Sequence, residues 1–486
     1  MSIKNKKFYI TTSIAYTNAP PHIGFALELV QADVLARYHR LLGDDVFFLT
    51  GTDEHGFKIA EAAEKEGKEP EVFVNEISAQ FRKLTNILDI SNNDFIRTTD
   101  KERHWPVVEE VWKKLEKNGD IELRDYEGLY CSGCEAFVKE KDLIDGKCPN
   151  HLKKPELIKE KNYFFKLKKY TDQVKKEIEE NKLKIIPDSR KNEILSFIKK
   201  EVEDVSFSRP KEKLKWGIPV KTSIYNVSGF ESTTYVWADA LLNYISGLGS
   251  IAYISGTENV YWPPDLQCIG KDILRFHALI WPAMLIALGL PRPKNILVHG
   301  FITAGGQKMS KSLGNVIDPF ELVEKYGADA VRYFLLREIP STEDGDFTYE
   351  KFIERYNADL AKGLGNLVSR TLTLAEKFKI KEVKSSQSVL ESFLNGPKEK
   401  YDKALKDFKF NEGLIAIWEI IGKLDKYIDK EEPWKGGEKA IQVISDSLFV
   451  LEEIAKFLQP FLPGTSEIIF QQLKTKKSEI LFPIKK

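Results

Sequence analysis

Along the first 118 residues, segments with a strand-like pattern of apolar side chains alternate with segments in which apolar side chains recur at helical spacing. Residues 8–15 form a run of β-branched and aromatic side chains, which predicts a buried strand. Residues 21–42 repeat apolar side chains at helical spacing, and residues 45–50 predict a second strand. Helical patterns then cover residues 57–89 and 101–118. This alternation predicts an α/β fold with a doubly wound, parallel sheet of the Rossmann type.

The texture of the chain changes near residue 119 and again near residue 350. After residue 119, the α/β pattern is interrupted by turn residues and cysteines and then by a stretch rich in Lys and Glu. After about residue 350, the apolar residues follow an almost entirely helical pattern. We therefore predict five segments. They are the first half of a Rossmann-like domain at 1–118, a connective insertion at 119–230, the second half at 231–325, a linking segment at 326–350, and an α-helical bundle at 351–486.

Composition and charge narrow the class of protein. Lys and Arg together number 73, as do Asp and Glu, which argues against a broad basic surface but allows local patches for a nucleic acid. No run approaches the roughly 20 apolar residues that span a bilayer, so no membrane partner is expected. The chain enters a strand pattern at once, so we expect no signal or transit peptide, and we expect that the four cysteines do not form a disulfide scaffold. A cytoplasmic location is the expectation.

A first candidate phosphate site lies where the first predicted strand gives way to a helix. His22 and Gly24 occupy this turn. In an open parallel sheet, ligands bind beyond the carboxyl ends of the strands, and a helix N-terminus favours phosphate. His22 can donate to a phosphate oxygen, and Gly24 lets a purine approach the backbone. The alternative is that His22 only caps the helix and Gly24 only permits packing.

A second candidate phosphate site lies nearly 300 residues later. Residues 308–312 read K-M-S-K-S and follow a predicted strand and the pair Gly305 and Gly306. Glycines suit a mobile loop, and the ammonium groups of Lys308 and Lys311 can neutralise a leaving pyrophosphate. A solvated lysine loop is the alternative. Together, the two motifs look like the two halves of one ATP site that activates a carboxylic acid.

Three of the four cysteines predict a zinc site. Cys131 and Cys134 form one C-x-x-C knuckle, and Cys148 and His151 form a C-x-x-H knuckle after it. Two such knuckles suit one tetrahedral, fully ligated and therefore structural Zn²⁺ per chain. A metal-free knuckle or simple thiols remain as alternatives. Cys268 lies in a strand pattern and is expected to be a buried apolar residue.

The two phosphate motifs, in this order, resemble those of class I aminoacyl-tRNA synthetases, and specifically the methionyl-tRNA synthetases. The match is dense from residue 8 to about 375. One departure is visible, because the family's first motif usually ends in His where this chain has Phe25. Further matching segments are residues 50–56, 190–193, 208–210, 216–219, 235–241, 270–273, 276–277, 281–284 and 327–333.

The resemblance implies a methionine–tRNA ligase, which forms methionyl-adenylate and pyrophosphate from methionine and ATP and then charges the 3′ end of tRNA(Met). It assigns catalytic roles to His22, Gly24, Lys308 and Lys311. It places ATP, with Mg²⁺, against His22, Gly24, Asp272, Gly300, Met309 and Lys311. It lines the methionine pocket with Ile14, Ala15, Tyr16, Asp53, Trp237, Ala240, Leu241, Tyr244, Ile273 and His277.

The proposed pocket suits its substrate. Aromatic walls contact a thioether favourably, and Asp53 would pair with the α-ammonium group. Any single aromatic residue could instead belong to the ordinary core. In the helical region, the resemblance assigns anticodon reading to Asn366, Arg370 and Trp434, which offer an amide, a guanidinium and a stacking ring. A helix cap, a surface arginine and a packed tryptophan are the alternatives. The protein is expected to be a monomer.

Three rival functions remain at this stage. Ligases for isoleucine, leucine and valine need a large editing insertion, because a pocket separates one methylene by only about 1–3 kcal/mol. The insertion predicted here is short. A cysteine ligase would place thiol ligands in the active site. A non-catalytic, zinc-bearing RNA-binding protein with a relic nucleotide fold is the rival from another class, and the intact His22, Asp53, Lys308 and Lys311 argue against it.

Overall fold

The structure is a computed structural model of the whole chain. It describes residues 6–131, 136–138, 140, 143–149, 152–200, 202–222, 230–249, 260–309, 314–380 and 387–485.

The described strands, in chain order, are β1 (Lys7–Thr12), β2 (Ala15–Tyr16), β3 (Asp45–Asp53), β4 (Asp94–Arg97), β5 (Ile121–Cys131), β6 (Ala136–Val138), β7 (Glu156–Phe165), β8 (Lys184–Ile186), β9 (Val205–Ser206), β10 (Ser208–Pro210), β11 (Ser232–Thr234), β12 (Leu266–Gly270), β13 (Asn295–His299), β14 (Ile302–Ala304), β15 (Gln307–Lys308) and β16 (Gly345–Phe347).

The described α-helices, in chain order, are α1 (Ile23–Leu41), α2 (Phe57–Lys65), α3 (Pro70–Ile87), α4 (His104–Lys117), α5 (Thr171–Glu179), α6 (Asp188–Lys199), α7 (Val236–Ala240), α8 (Asn243–Ser246), α9 (Trp281–Leu288), α10 (Pro319–Tyr326), α11 (Ala328–Arg337), α12 (Tyr349–Arg355), α13 (Asn366–Lys377), α14 (Gln387–Leu394), α15 (Pro397–Lys406), α16 (Phe410–Glu431), α17 (Glu438–Leu458) and α18 (Pro463–Thr475).

A seven-stranded sheet organises the first part of the chain. Its order is β2-β3-β1-β12-β13-β8, and β4, outside this order, also pairs with β3. Every pairing in this sheet is parallel. β1 and β12 are neighbours, and the chain runs outward from them in opposite directions, so a ligand crevice opens at their carboxyl ends. The predicted α/β, Rossmann-like fold with a helical C-terminal region is confirmed.

The central strands are buried because helices cover both faces of the sheet. All five residues of β12 are buried, as are the last five residues of β1. Such continuous burial is typical of a parallel sheet rather than of one with a solvated face. α1 packs on one face and inserts Leu27 and Val30 into the core. α9 belongs to a second core cluster, which includes Trp281 and Met284.

A separate antiparallel sheet occupies much of the predicted insertion at 119–230. Its order is β6-β5-β7-β9, and the long pairing of β5 with β7 runs from Ile121 opposite Phe165 to Tyr130 opposite Glu156. Within the same range, however, β8 returns to the central sheet and pairs with β13. The insertion is therefore interrupted by a strand of the main sheet, and the domain boundaries stay a prediction.

One buried arginine joins the sheet domain to the C-terminal helices. Arg332 is fully buried on α11, and its guanidinium lies 2.8 Å from the Asp33 carboxylate of α1. It also donates to the carbonyls of Leu88, Pro460 and Phe461 at 2.7 to 3.0 Å. A buried charge is tolerable when it is paired and hydrogen-bonded in this way. Among the described residues, no helix has the length and apolarity that crossing a membrane requires.

Candidate active site

His22 is the N-cap residue of α1. Its backbone is extended, with φ −129° and ψ 171°, and its Nδ1 accepts a hydrogen bond from the Gly24 amide at 3.1 Å. A Cβ on Gly24 would lie only 2.9 Å from Cε1 of the imidazole. Gly24 therefore makes room for the ring that caps the helix. Because Nδ1 accepts, a neutral imidazole carries its proton on Nε2.

The surroundings of His22 favour the neutral imidazole. Desolvation lowers its pKa, and the nearby carboxylate of Asp272 only partly opposes this. The next residue, Ile23, donates its amide to the Ile317 carbonyl at 3.2 Å. Ile317 lies five residues after Ser312. The segment that leaves the second motif therefore meets the chain directly beside the first.

Phe25 replaces the last histidine of the family's first motif. Its ring packs edge-on against Phe81 of α3, with centroids 5.1 Å apart and an interplanar angle of 89°. The side chain is half-buried against the hydrophobic core. In this chain, the position therefore contributes to packing between α1 and α3.

A small three-stranded sheet supports the loop that leads into the second motif. The Asp346 carboxylate on β16 accepts from the Thr303 hydroxyl at 2.6 Å and from the Gly306 amide at 2.7 Å. These bonds anchor the hairpin of β14 and β15. Lys308, at its end, is exposed, and its ammonium lies 5.9 Å from the Phe301 ring centroid. Lys311 lies outside the described residues and stays a prediction from sequence.

Three predicted adenosine contacts lie near these elements. Met309 is half-buried against the core. Gly300 is buried, and a Cβ there would lie 2.2 Å from the Glu343 carbonyl, so a close approach of two backbone segments explains this glycine. Asp272 is exposed in a 3₁₀ turn after β12. Its charge raises the pKa of both His22 and His299, so it faces both rings.

The predicted methionine pocket contains a histidine with a fixed tautomer. His277 is buried in a π-helical segment, Phe276–Ile280, a geometry often found at functional sites. Its Nδ1 lies 3.1 Å from the Ile273 carbonyl and its Nε2 lies 2.7 Å from the Tyr244 hydroxyl. Desolvation lowers the pKa of His277 to about 4. The neutral ring therefore donates from Nδ1 and accepts from Tyr244.

Aromatic rings surround this histidine. Trp237 stacks on Phe276 with centroids 3.7 Å apart, and it meets His277 edge-on at 6.5 Å. Ala240 and Leu241, which follow Trp237 around α7, are both buried. The structure thus brings together six of the predicted pocket residues. They are Trp237, Ala240, Leu241, Tyr244, Ile273 and His277.

The remaining pocket candidates lie on β2, β3 and the turn before β2. Ile14 packs against the same core cluster as Trp237, whereas Ala15 and Tyr16 pack in a different cluster with α3. Tyr16 pairs with Asp53 in the sheet register. Asp53 is buried at the carboxyl end of β3. These residues therefore flank the crevice from the β3 side.

A buried cluster of two histidines and one aspartate was not predicted from the sequence. The Asp239 carboxylate accepts from Nδ1 of His55 and Nε2 of His104, each at 2.6 Å. Burial raises the pKa of Asp239, but the two imidazoles outweigh it, so the net shift is downward. This cluster ties the segment after Asp53 to the helix that carries Trp237. No spacing rule connects three residues this far apart in the chain.

Two of the four predicted zinc ligands lie in the described residues. Cys131 and Cys148 are buried, while Cys134 and His151 lie outside the described part. Ile144 and Lys147 exchange backbone hydrogen bonds at 2.9 Å and form a tight turn just before Cys148. The buried thiol of Cys148 beside this turn fits the donor chemistry of Zn²⁺. Within the described ranges, no group of three or more His, Cys, Asp or Glu side chains is arranged to hold a metal ion.

The predicted anticodon residues lie on two elements of the helical region. Asn366 is exposed at the start of α13. Arg370, one turn later, holds the carboxylates of Asp425 and Asp429 on α16, each at 2.7 Å. Trp434 is 41% exposed in a short 3₁₀ turn after α16. An exposed indole and a fixed guanidinium are therefore both present on this surface.

Family models match both parts of the chain. Residues 8–154 and 141–372 match the family described as tRNA synthetases class I (M). Residues 387–486 match the anticodon-binding domain of tRNA ligase. The parallel sheet with its crevice and the helical region are therefore those of a class I aminoacyl-tRNA synthetase.

Proteins that align with nearly the full chain show which family within this class it belongs to. The chain is 42% identical to the methionine–tRNA ligase of Thermotoga maritima, over 96% of this chain and 75% of that protein. It is 43% identical to the corresponding enzyme of Bacillus subtilis, over 97% of this chain and 74% of that one. The chain therefore belongs to the methionine–tRNA ligase family.

Solved structures agree with this assignment. The Mycobacterium tuberculosis methionyl-tRNA synthetase in complex with methionyl-adenylate matches with a TM-score of 0.89 and 35% identity. The match covers 99% of this chain and 98% of that one. The apo form of the same enzyme matches with a TM-score of 0.80 and 32% identity, over 97% of this chain and 92% of that one.

Proposed function

We propose that this chain activates methionine with ATP and then transfers it to the 3′ end of tRNA(Met). In the first step, the methionine carboxylate attacks the α-phosphate, and pyrophosphate leaves. The carboxylate oxygen forms the new bond to phosphorus as the bond to the β-phosphate oxygen breaks. The observation that carries the proposal is the hydrogen bond from the Ile23 amide to the Ile317 carbonyl, which holds the segment after the second phosphate motif beside the first motif.

The proposed roles at the phosphates follow from charge and donor geometry. His22, neutral and protonated on Nε2, would donate to a phosphate oxygen of MgATP. Lys308 and Lys311 would neutralise the charge that develops on the departing pyrophosphate. Asp272 faces His22 and would border the adenosine, together with Gly24, Gly300 and Met309. Catalysis of this kind depends on positioning and electrostatics, without a covalent protein intermediate.

The proposed methionine pocket selects an apolar side chain beside an ammonium group. The neutral His277 and the ring of Trp237 offer polarizable, uncharged walls to a thioether. Asp53 would pair with the α-ammonium of the substrate. Ile14, Ala15 and Tyr16 would close the pocket on the β2 side.

We further propose that Cys131, Cys134, Cys148 and His151 hold one structural Zn²⁺. The buried thiols of Cys131 and Cys148 support this proposal. Metal analysis of the purified chain is expected to find about one Zn²⁺ per molecule, with loss of metal in Cys148→Ser. A stoichiometry near zero in protein purified without chelator would contradict it.

Anticodon binding by Asn366, Arg370 and Trp434 is likewise a proposal, supported by the exposure of Asn366 and Trp434 and by the matched anticodon-binding region. We also propose that the enzyme is a cytoplasmic monomer. Sedimentation of the purified chain should give a mass near 55.7 kDa. A concentration-independent dimer would contradict this.

Amino-acid-dependent exchange of labelled pyrophosphate into ATP tests the activation step. Exchange is expected with methionine and not with isoleucine, leucine, valine or cysteine. Exchange driven by another amino acid would indicate a synthetase of different specificity. Absence of exchange with any of the common amino acids, in folded protein, would favour an RNA-binding protein with a relic nucleotide fold.

A further inference from the structure

A buried carboxylate and a buried imidazole form a direct contact beneath the crevice. Glu28 lies on α1, six residues after His22, and His299 is the last residue of β13. Oε2 of Glu28 lies 2.8 Å from Nε2 of His299. The two residues are 3% and 7% exposed, so bulk water cannot replace this contact.

The other atoms of the pair are also engaged. Oε1 of Glu28 accepts from the amide and from the hydroxyl of Ser13, at 2.7 and 2.6 Å. Nδ1 of His299 lies 2.7 Å from the Gly300 carbonyl, which can only accept. Nδ1 must therefore carry a proton. When the Glu28 carboxylate is ionised, it can only accept, so Nε2 must also carry a proton and the ring is doubly protonated.

The charges around the pair agree with an imidazolium. Desolvation lowers the pKa of His299, but Glu28, the Gly300 carbonyl and Asp272 together outweigh it, so the net shift is upward. Tyr244 and Cys268 also face Glu28, and burial keeps the pKa of each well above its ordinary value, so both are neutral. The carboxylate of Glu28 thus has one cationic partner among these groups.

The pair connects the three segments that build the proposed site. Ser13 precedes Ile14 of the methionine side, and Glu28 lies on the helix that His22 caps. His299 bonds to Gly300, directly before the hairpin that carries Lys308. A Cβ on Gly270 would lie 3.7 Å from the His299 ring and 2.8 Å from Oδ1 of Asp272. The ring therefore borders the crevice on the side of Asp272.

A buried ion pair is a poor means of gaining stability, because desolvation offsets most of the attraction. An apolar pair of similar size would serve a purely structural role at least as well. We propose that Glu28 and His299 form a positioning pair, in which an ionised Glu28 keeps His299 doubly protonated and so fixes the Lys308 hairpin relative to His22. Neither residue needs to touch the substrate for this role.

The kinetic test of this positioning role rests on the proposed activation of methionine. The spectroscopic test needs no substrate and is independent of that reaction. Nitrogen-15 NMR of the histidine rings reports protonation directly, and the His299→Gln variant assigns the signal among seven histidines. At pH 7.5, both ring nitrogens of His299 should carry protons in the wild type. In Glu28→Gln, the ring should be neutral. A singly protonated ring in the wild type would overturn the proposal.

The kinetic test uses pyrophosphate exchange with methionine. Glu28→Gln should lower kcat roughly 10- to 100-fold, the range expected for losing a hydrogen bond to a charged partner. The KM for methionine should change far less. The deficit relative to wild type should shrink only as the pH falls below the ordinary imidazole pKa of 6.5, because desolvation without the carboxylate lowers the pKa at which the ring regains its second proton. A purely structural role would lower the melting temperature without this pH signature.

Ser13→Ala is the matched control, since it removes one partner of Glu28 and leaves the contact with His299 intact. It should retain a doubly protonated His299 and most of the exchange rate. If Ser13→Ala and Glu28→Gln lose the same rate, or if Glu28→Gln loses none, the positioning role is refuted. Absence of exchange in the wild type would instead refute the proposed function, and the NMR result would still stand.

Discussion

The Tyr244 hydroxyl donates a hydrogen bond to Nε2 of His277 at 2.7 Å, in the buried wall of the proposed methionine pocket. Because Nδ1 of the same ring faces the Ile273 carbonyl, the tautomer is fixed. Burial keeps the imidazole neutral, since a pKa of about 4 leaves it uncharged throughout the physiological range. The pocket wall is therefore rigid and uncharged, as an apolar thioether requires.

Loss of this hydroxyl should weaken methionine binding. In Tyr244→Phe, Nε2 of His277 loses its donor in a desolvated site, which costs about 1–2 kcal/mol. The KM for methionine in pyrophosphate exchange should rise roughly 5- to 30-fold, with the KM for ATP nearly unchanged. Tyr170→Phe, which removes a hydroxyl bonded to Asp120 away from the crevice, is the control. An unchanged KM for methionine would remove this bond from recognition.

The neutral state of His277 also predicts a pH dependence of stability. The unfolded ring takes up a proton as the pH falls through 6.5, while the folded ring does so only near 4. The unfolded state therefore binds more protons in this window, and the free energy of unfolding falls by roughly 3 kcal/mol on acidification. His277→Gln should show a smaller decrease between pH 6.5 and 4 in urea titrations. Parallel curves for the two proteins would contradict the assignment.

The sequence predicted the fold and the place of the crevice because both follow from local patterns. Buried strands, a capped helix and the rule that ligands bind at the carboxyl ends of parallel strands placed His22 at this edge, whereas Asp53 and Asp272 were assigned from the family resemblance. The return of β8 to the central sheet was not predicted. A three-residue strand within a charged, helix-rich stretch carries too little periodicity to be recognised.

Gly24→Ala should displace the imidazole of His22. The new Cβ would lie 2.9 Å from Cε1 of His22, so the ring must leave its cap position. We expect at least about a tenfold loss in the exchange rate, with the folded state retained, because helical φ and ψ suit alanine. Gly422→Ala is the matched control, since a Cβ in that helix meets open space. Equal exchange rates in the two variants would contradict the role of Gly24.

Trp434→Ala should lower the charging of tRNA without lowering pyrophosphate exchange. The ring is exposed, so its removal should leave the free energy of unfolding and pyrophosphate exchange nearly unchanged. Charging of tRNA should fall, because loss of a base-stacking ring costs about 1–3 kcal/mol. Ile468→Ala, another exposed apolar truncation, is the control. Equal loss of exchange and charging in Trp434→Ala would make the indole structural.

Contacts between distant residues were beyond sequence reasoning. Glu28 carries a weak signal, since it is a carboxylate among the buried residues Leu27, Leu29 and Val30 of α1. Its partner His299, however, lies 271 residues away, and only the sheet order, in which β13 lies beside the strand β12 that α1 packs against, brings the two together. Gly300 shows the reverse case. The family resemblance assigned Gly300 a role at the adenosine. In the structure, the close approach of the Glu343 backbone is already a sufficient reason for a glycine at this position.

The central claim is that the two phosphate motifs act on one nucleotide. A crystal structure of the chain with a methylene-bridged, nonhydrolysable ATP analogue tests this most directly. We expect phosphate oxygens within about 3.2 Å of both the His22 imidazole and the Lys308 ammonium. A nucleotide bound elsewhere, or one that contacts His22 while Lys308 faces away from its phosphates, would contradict the account.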